Sequence, residues 1–289
     1  MRRLIIRPGA IGDCILSLPA MERLRAGYTE VWVAAQNCPF IRFADAVDSI
    51  GATSLDLVGL PGVEPPPGAI TRLRGFDDIV SWYGSNRVEF QAAVAELGLP
   101  FRFLTALPDE TRGVHAADFY LEQAQSLTGC ETGEIACPTL RIESLPRNED
   151  FVVIHPFSGS SRKNWPLKRY RELAERLAVQ LSVRWCAGPE ESLEGAARFD
   201  DLYELASWIS RAAVYIGNDS GISHMAAAAG APVVALFGPT DPAVWAPRGP
   251  KVRIVSTRPA GMEMETIEVD EVLLAARELL SAQTRQRSE

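Results

Sequence analysis

Val214-Tyr215-Ile216-Gly217-Asn218-Asp219-Ser220-Gly221-Ile222-Ser223-His224-Met225-Ala226-Ala227-Ala228-Ala229-Gly230, followed by Ala231-Pro232 and Val233-Val234-Ala235-Leu236-Phe237, is the stretch that decides the fold. Val214–Gly217 and Val233–Phe237 are short apolar runs and predict strands, and Ser223–Ala229 between them predicts a helix. Strand, helix and strand in that order make the repeating unit of a parallel sheet.

The same alternation runs outward in both directions. Towards the N-terminus of this half, Phe151–His155 and Val183–Cys186 predict strands. Leu167–Leu181 predicts an amphipathic helix with Tyr170, Leu173, Leu177 and Leu181 on one face, and Leu202–Ser210 a further helix. Towards the C-terminus, Val252–Val255 predicts a strand. Glu268–Leu280 predicts a closing helix whose Val272, Leu273, Ala276 and Leu280 face inward. The first half repeats the theme. Strands are expected at Leu4–Arg7, Val31–Ala35 and Asp78–Trp82, and helices at Ile11–Leu24, Val88–Leu97 and Ala116–Leu127. The Pro- and Gly-rich segment Ser49–Gly75 reads as loops with one short strand. A polar stretch, Glu143–Asp150, separates the halves as a linker.

The expected fold class is therefore α/β, with two Rossmann-like domains facing a central cleft: residues 1–146 and residues 147–289. Ligands in such sheets sit at the carboxyl ends of the strands. The apolar face of the terminal helix, 268–280, is expected to pack back on the N-terminal domain. Two domains agree with a length of 289 residues at roughly 150 residues per domain.

Composition narrows the function. Apolar residues make up 47% and charged residues 23%, the balance of a globular chain. A net charge of −8 argues against broad nucleic-acid binding, which requires a basic surface. Five Cys (Cys14, Cys38, Cys130, Cys137, Cys186) are odd in number and lack CxxC spacing, so they read as buried free thiols rather than a disulfide framework or zinc site. Arg7 interrupts the apolar run Leu4–Ile6, so no signal peptide is expected. The weakly polar stretch Met225–Gly238 is too short to span a bilayer and is broken by Pro232. The expected location is cytoplasmic, with room for peripheral contact at the inner-membrane surface.

Three clusters carry candidate chemistry. Arg7-Pro8-Gly9-Ala10-Ile11-Gly12-Asp13 is a glycine turn between a strand and a helix. Its spacing is not that of a dinucleotide loop, and the second strand ends in Ala34-Ala35-Gln36 without an acidic residue for an NAD ribose. Asp13 then reads either as a catalytic carboxylate or as a helix-terminus carboxylate acting on the dipole. His155-Pro156-Phe157-Ser158-Gly159-Ser160-Ser161-Arg162-Lys163-Asn164-Trp165-Pro166 offers hydroxyls, backbone N–H groups and cations suited to a pyrophosphate; it also suits an exposed loop. In the third cluster Asp219, Ser220 and Gly221 open a helix and suit an anion, or Asp219 and Ser220 simply cap it with His224 a core histidine. Glu190 and Glu191, after Gly188-Pro189, suit ribose hydroxyls or solvent.

Together these clusters resemble glycosyltransferase family 9, the bacterial heptosyltransferases of lipopolysaccharide core synthesis. The resemblance rests on Gly9–Asp13 with Leu18-Pro19-Ala20, on Lys163-Asn164-Trp165-Pro166 and on Gly188-Pro189-Glu190-Glu191. Its longest part is Asn218–His224 continuing through Gly230-Ala231-Pro232 to Phe237-Gly238-Pro239-Thr240-Asp241-Pro242. It implies a GT-B arrangement, an ADP-heptose donor and inversion at the anomeric carbon. Asp13 is implied as the general base and Lys163 as the cation at the leaving group. Ser158, Gly159 and Lys163 are implied as diphosphate ligands, Glu191 as the ribose ligand, and Asp219, Ser220, Gly221 and His224 as the loop at the donor phosphates. On the acceptor side Gly12, Arg72, Arg74 and Arg87 are candidates for an acidic glycolipid. No two Asp are spaced as D-x-D, so no metal and no cofactor beyond the ADP-sugar co-substrate is expected. The chain is short for the family and trimmed around Ser49–Gly75. A sugar-nucleotide epimerase and a catalytically inactive relative are the competing readings; the first would need more acid–base residues than Asp13.

Overall fold

The computed structural model describes residues 1–130, 133, 135–142, 151–257 and 262–287, the last five of these by backbone only. The chain forms two compact units: Met1–Asp109 with Ala116–Ala136, and Glu110–His115 with Cys137–Glu289. The expected division at 146/147 falls, like the whole expected linker, outside the described residues. Glu110–His115 joins the second unit because Glu110 Oε1 accepts from Trp245 Nε1 at 2.7 Å and His115 Nε2 lies 2.8 Å from the Ala246 carbonyl.

In chain order the first unit comprises β1 (Arg2–Arg7), α1 (Ile11–Arg23), β2 (Tyr28–Val33), β3 (Ala46–Ser49), α2 (Pro67–Leu73), β4 (Asp78–Ser81), α3 (Val88–Glu96), β5 (Phe101–Phe103) and α4 (Ala116–Thr128). Its strands form a parallel sheet in the order β3-β2-β1-β4-β5. The central strand β1 is buried from Arg3 onward, as expected where helices cover both faces. Three elements were not expected: α2, β5 and β3, which ends at Ser49, so that the one short strand expected within Ser49–Gly75 is replaced there by turns and α2. α2 lies in the segment read as loops: Pro67 at its first turn is preorganised for helix, and burial of Ile70 and Leu73 holds it. β5 has three residues, too few for a periodic signal, and pairs with β4 through Ile79↔Phe101.

The second unit comprises β6 (Phe151–His155), α5 (Leu167–Leu177), β7 (Ser182–Trp185), α6 (Leu202–Ser210), β8 (Val214–Asn218), α7 (Gly221–Ala228), β9 (Val233–Phe237), α8 (Pro242–Trp245), β10 (Val252–Ser256) and α9 (Val269–Arg287). Its parallel sheet runs β10-β9-β8-β6-β7. The three inner strands are buried throughout, whereas the edge strands β7 and β10 are only partly so. The expected α/β class with two Rossmann-like sheets holds.

α9 corrects an expectation. Val272, Leu273, Ala276 and Leu279 lie in one apolar cluster with Val152, Ile154, Val214, Ile216, Tyr170 and Leu173, so the buried face of the terminal helix covers the second unit's own sheet. A single apolar stripe can cover one surface, and this sheet face required a cover. The thiols also differ in part. All five are free, but Cys130 and Cys137 are exposed while Cys14 and Cys186 are buried. Burial pushes the Cys14 and Cys186 thiols up to about 12, leaving them inert.

If α9 is integral to this core, Leu273→Ala should destabilise the second unit by about 2–5 kcal/mol, the usual cost of truncating a buried leucine. Urea unfolding followed by tryptophan fluorescence reads this; a change within about 0.5 kcal/mol, the scale of surface substitutions, would contradict it.

Candidate functional site

In the second unit the chain leaves β6 towards β7 on one side and reaches β8 on the other. The carboxyl ends of β6 and β8 thus form the crevice where open parallel sheets bind ligands. His155 ends β6 opposite Gly217 of β8. The loop 156–166 leaves from one strand, and Asp219-Ser220 leads from the other into α7.

Asn218 joins the two. Its fully buried amide donates from Nδ2 to the Pro156 carbonyl at 2.9 Å, and its Oδ1 accepts from the Trp165 N–H at 3.1 Å and the Tyr170 hydroxyl at 2.8 Å. Trp165, itself buried, donates from Nε1 to the Ile267 carbonyl at 3.0 Å, so the loop is anchored at its far end. Lys163 is thereby brought to Asp219, with Nζ 2.6 Å from Oδ2, and the Thr240 hydroxyl donates to the same oxygen at 2.6 Å. The Asp219 side chain is 8% exposed and that of Lys163 30%, so the carboxylate is the more deeply buried member of the pair.

Ser158 is half-buried, its hydroxyl near Asn164 Oδ1 and the Ser160 carbonyl, and Gly159 is exposed. Ser220 caps α7 without accepting a backbone N–H on its side chain, its Oγ lying 3.4 Å from Ser223 Oγ, and Gly221 begins the helix. The first backbone N–H groups of a helix have no partner within it, which leaves them suited to an anion. His224 is buried further along α7, among Met225–Ala228. The loop with its cation and the start of α7 meet at the carboxyl ends of β6 and β8 through the Lys163–Asp219 contact.

Glu191 lies on the next loop. Its Oε2 accepts from the Gly188 N–H at 2.6 Å and lies 3.2 Å from His155 Nε2, whereas Glu190 is exposed. Burial pushes the Glu191 carboxyl up, but the bonds from His155 and Gly188 and the nearby Arg198 outweigh it, so the group lies below the usual carboxylate range.

The first unit places Asp13 in the first turn of α1. Asp13 Oδ2 accepts from the Ala10 N–H at 3.0 Å, so the helix-terminus role weighed in the sequence is a real contact. Gly9 is required: its φ is +119°, and a Cβ there would meet Asp13 Cβ at 2.7 Å. Arg7, the last residue of β1, brings its Nη2 within 3.8 Å of Asp13 Oδ1. Arg7 is buried, donates from Nε to Ser17 Oγ at 3.1 Å, and lies 4.6 Å from the Tyr120 ring and 5.6 Å from that of Trp82. Gly12 lies in the same helical turn.

The acceptor-side arginines do not converge with it. Arg72 is bound to Glu30 at 2.6 Å and Asp48 at 2.8 Å and stacks 4.8 Å from Trp32. Arg87 caps α3 and donates to the Tyr83 hydroxyl, and Arg74 ends α2, exposed. Among the described residues no three His, Cys, Asp or Glu side chains are grouped to hold a metal ion, and no helix is long and apolar enough to cross a membrane.

The sequence profile of glycosyltransferase family 9 (heptosyltransferase) matches residues 113–271, more than half of the chain. The chain belongs to glycosyltransferase family 9. It is similar to lipopolysaccharide heptosyltransferase 3 of Escherichia coli K12, 29% identical over 126 residues, covering 37% of this chain and 36% of that protein. The chain is thus matched over about a third of that relative's length. Two solved structures share its fold. The glycosyl transferase family 9 protein of Veillonella parvula matches with a TM-score of 0.77 and 17% identity, over 97% of both chains. Escherichia coli heptosyltransferase WaaC with ADP matches with a TM-score of 0.69 and 17% identity, over 96% of this chain and all of that one.

Within this family 9 chain the sequence reading left out four residues that shape the site: Asn218, Thr240, His155 and Arg7. Each was quoted inside a motif. Asn218, Thr240 and His155 act on residues from other loops, a relation that linear spacing does not carry. Only the Asn-Asp pairing at a strand end gave a hint.

The lowered Glu191 carboxyl has a consequence for stability. Because the folded state holds this proton more weakly than the unfolded chain, the contribution is present above the unfolded carboxylate range and is lost as pH falls through the folded value. The stability difference between the native protein and Glu191→Gln should therefore be largest near neutrality and shrink on acidification. Urea titrations at several pH values check this, and a difference constant with pH would contradict it.

Proposed function

We propose that this chain is an inverting glycosyltransferase that moves a heptose or related sugar from an ADP-activated donor to a lipopolysaccharide-core or similar acidic glycolipid, without a metal ion, at the cytoplasmic face of the inner membrane. Family membership supports the reaction class, the names of its relatives support the acceptor class, and the neighbour solved with ADP supports the nucleotide.

The observation that carries the reading is the Lys163–Asp219–Thr240 contact beside the first turn of α7. Leaving diphosphate carries developing negative charge, and a preorganised cation with helix N–H groups lowers the cost of that charge. Lys163 supplies the charge, with Ser158, Gly159, Ser220 and Gly221 as hydrogen-bond donors. Asp219 is itself anionic, so it acts on the phosphates through Lys163 rather than by touching them. His224, buried in α7, supports the helix start. Glu191, an acceptor-only group, suits ribose hydroxyls.

Asp13 takes the other half of the chemistry. The acceptor hydroxyl oxygen forms the new bond to the anomeric carbon, and its proton passes to the Asp13 carboxylate. The electron pair of the broken bond leaves on the diphosphate oxygen. Asp13 is 31% exposed and therefore within reach of a substrate, while Arg7 supplies a fixed counter-charge.

ADP should raise the melting temperature more than UDP or GDP, and should do so in the presence of EDTA, because ligand bound only to the native state stabilises it. Lys163→Ala should weaken ADP binding by about 1.5–3 kcal/mol, the range for a hydrogen bond to a charged group. A shift that requires magnesium, a preference for UDP, or unchanged ADP affinity in the folded variant would overturn the donor assignment.

For Asp13→Asn, turnover should fall by roughly 10²–10⁴-fold with ADP affinity nearly unchanged, since shape is kept and only proton acceptance is removed. Near-normal turnover with a lower melting temperature would reduce Asp13 to its bond with Ala10.

A further inference from the structure

His155 is buried to 4% exposure at the end of β6, between the Glu191 loop and the Asn218–Asp219 strand end. Its Nε2 faces Glu191 Oε2, and its Nδ1 is buried without a hydrogen-bond partner among the described residues. A carboxylate only accepts, so Nε2 carries the hydrogen; the tautomer is assigned from this contact. Nδ1 is then a bare lone pair. His155 thus aims an N–H donor at one oxygen of Glu191.

That oxygen is then fully used. Oε2 takes the Gly188 N–H from its own loop and the His155 N–H from a different element, so the carboxylate is held from two directions. No described residue is hydrogen-bonded to Oε1. An acceptor fixed at a strand end of the ligand-binding crevice pairs with hydroxyl donors and repels phosphate. Glu190, exposed and lacking both contacts, has no such orientation.

We propose that His155 is a positioning residue that orients Glu191 to recognise the ribose diol of the nucleotide, making this chain selective for ribonucleotides with both hydroxyls intact. This rests on the reading of the second unit as the nucleotide-sugar site.

The test is calorimetric titration with ADP, 2′,3′-dideoxy-ADP and adenosine. The native protein should bind ADP at least about tenfold more tightly than the dideoxy form, a modest value for hydrogen bonds to a charged acceptor. In His155→Leu that ratio should fall towards one, while the separate gain of ADP over adenosine, which reports phosphate binding, stays within about twofold. His155→Gln, which restores an N–H donor, should recover most of the discrimination. A folded His155→Leu with the native ratio overturns the inference. So does a variant that loses phosphate and diol contributions together, since that is general damage. If His155→Leu does not fold, His155→Asn decides: too short to reach Glu191, it must lose the ratio, and an unchanged ratio overturns the proposal. Native protein that binds ADP without preferring the diol sinks this inference alone, whereas no ADP binding at all sinks the nucleotide-sugar reading.

Discussion

The second unit depends on one buried side-chain amide. Asn218 sits at the carboxyl end of β8 and satisfies the Pro156 carbonyl, the Trp165 N–H and the Tyr170 hydroxyl at once. A loop that crosses a sheet's end buries backbone polar groups, and each left unpaired costs about 1–3 kcal/mol. No apolar residue could take this place, and a carboxylate could not donate to Pro156. Because Asn218 fixes the loop two residues after Lys163, and Asp219 follows it directly, the same residue sets both ends of the Lys163–Asp219 pair. The shape of the candidate site is therefore a consequence of backbone hydrogen-bond satisfaction rather than of local loop preference.

The two units solve the switch point in different ways. In the second, small hydroxyl residues and a lysine line the strand ends. In the first, a buried guanidinium does the organising: Arg7 is held by Ser17, flanked by the Tyr120 and Trp82 rings, and directed towards Asp13. Asn37, fully buried, adds Nδ2 contacts of 3.3 and 3.4 Å to the Gly9 and Ala10 carbonyls and so braces the glycine turn from β2's side of the sheet. Rigid supports of this kind matter because a 1 Å displacement of a reacting group is expensive in rate. Among the described residues, Arg72 and Arg87, weighed for an acceptor, are engaged elsewhere. Arg72 is committed to Glu30, Asp48 and Trp32, which makes it a strut between α2 and the strands β2 and β3.

Much of this was legible from residue order. The inner strands of the second sheet are mostly apolar runs because helices cover both faces, and such runs are read directly: Phe151–His155 and Val233–Phe237 have the expected bounds. Helices with one dry face were equally plain, although α5 ends at Leu177 and its neighbour Leu181 packs from the turn beyond. Short or weakly periodic elements were not legible. α2 hides behind a run of prolines, and β5 is three residues long. The apolar stripe of α9 announced that the helix would be buried, but a stripe has no address.

The sequence alone determined the α/β class and the doubling of the Rossmann-like pattern, since these follow from period, while the family and the loops that carry Asp13, Lys163, Glu191 and Asp219 followed from the resemblance of their motifs to glycosyltransferase family 9. Only the tertiary structure decided which sheet α9 covers, that Arg7 lies against Asp13, that Glu191 rather than Glu190 is held, and that Lys163, Thr240 and Asp219 meet. The physical reason is that periodicity and motif spacing report on neighbours along the chain. Ion pairs and shared hydrogen bonds join residues such as Lys163 and Asp219, brought together only when parallel strands fall into register.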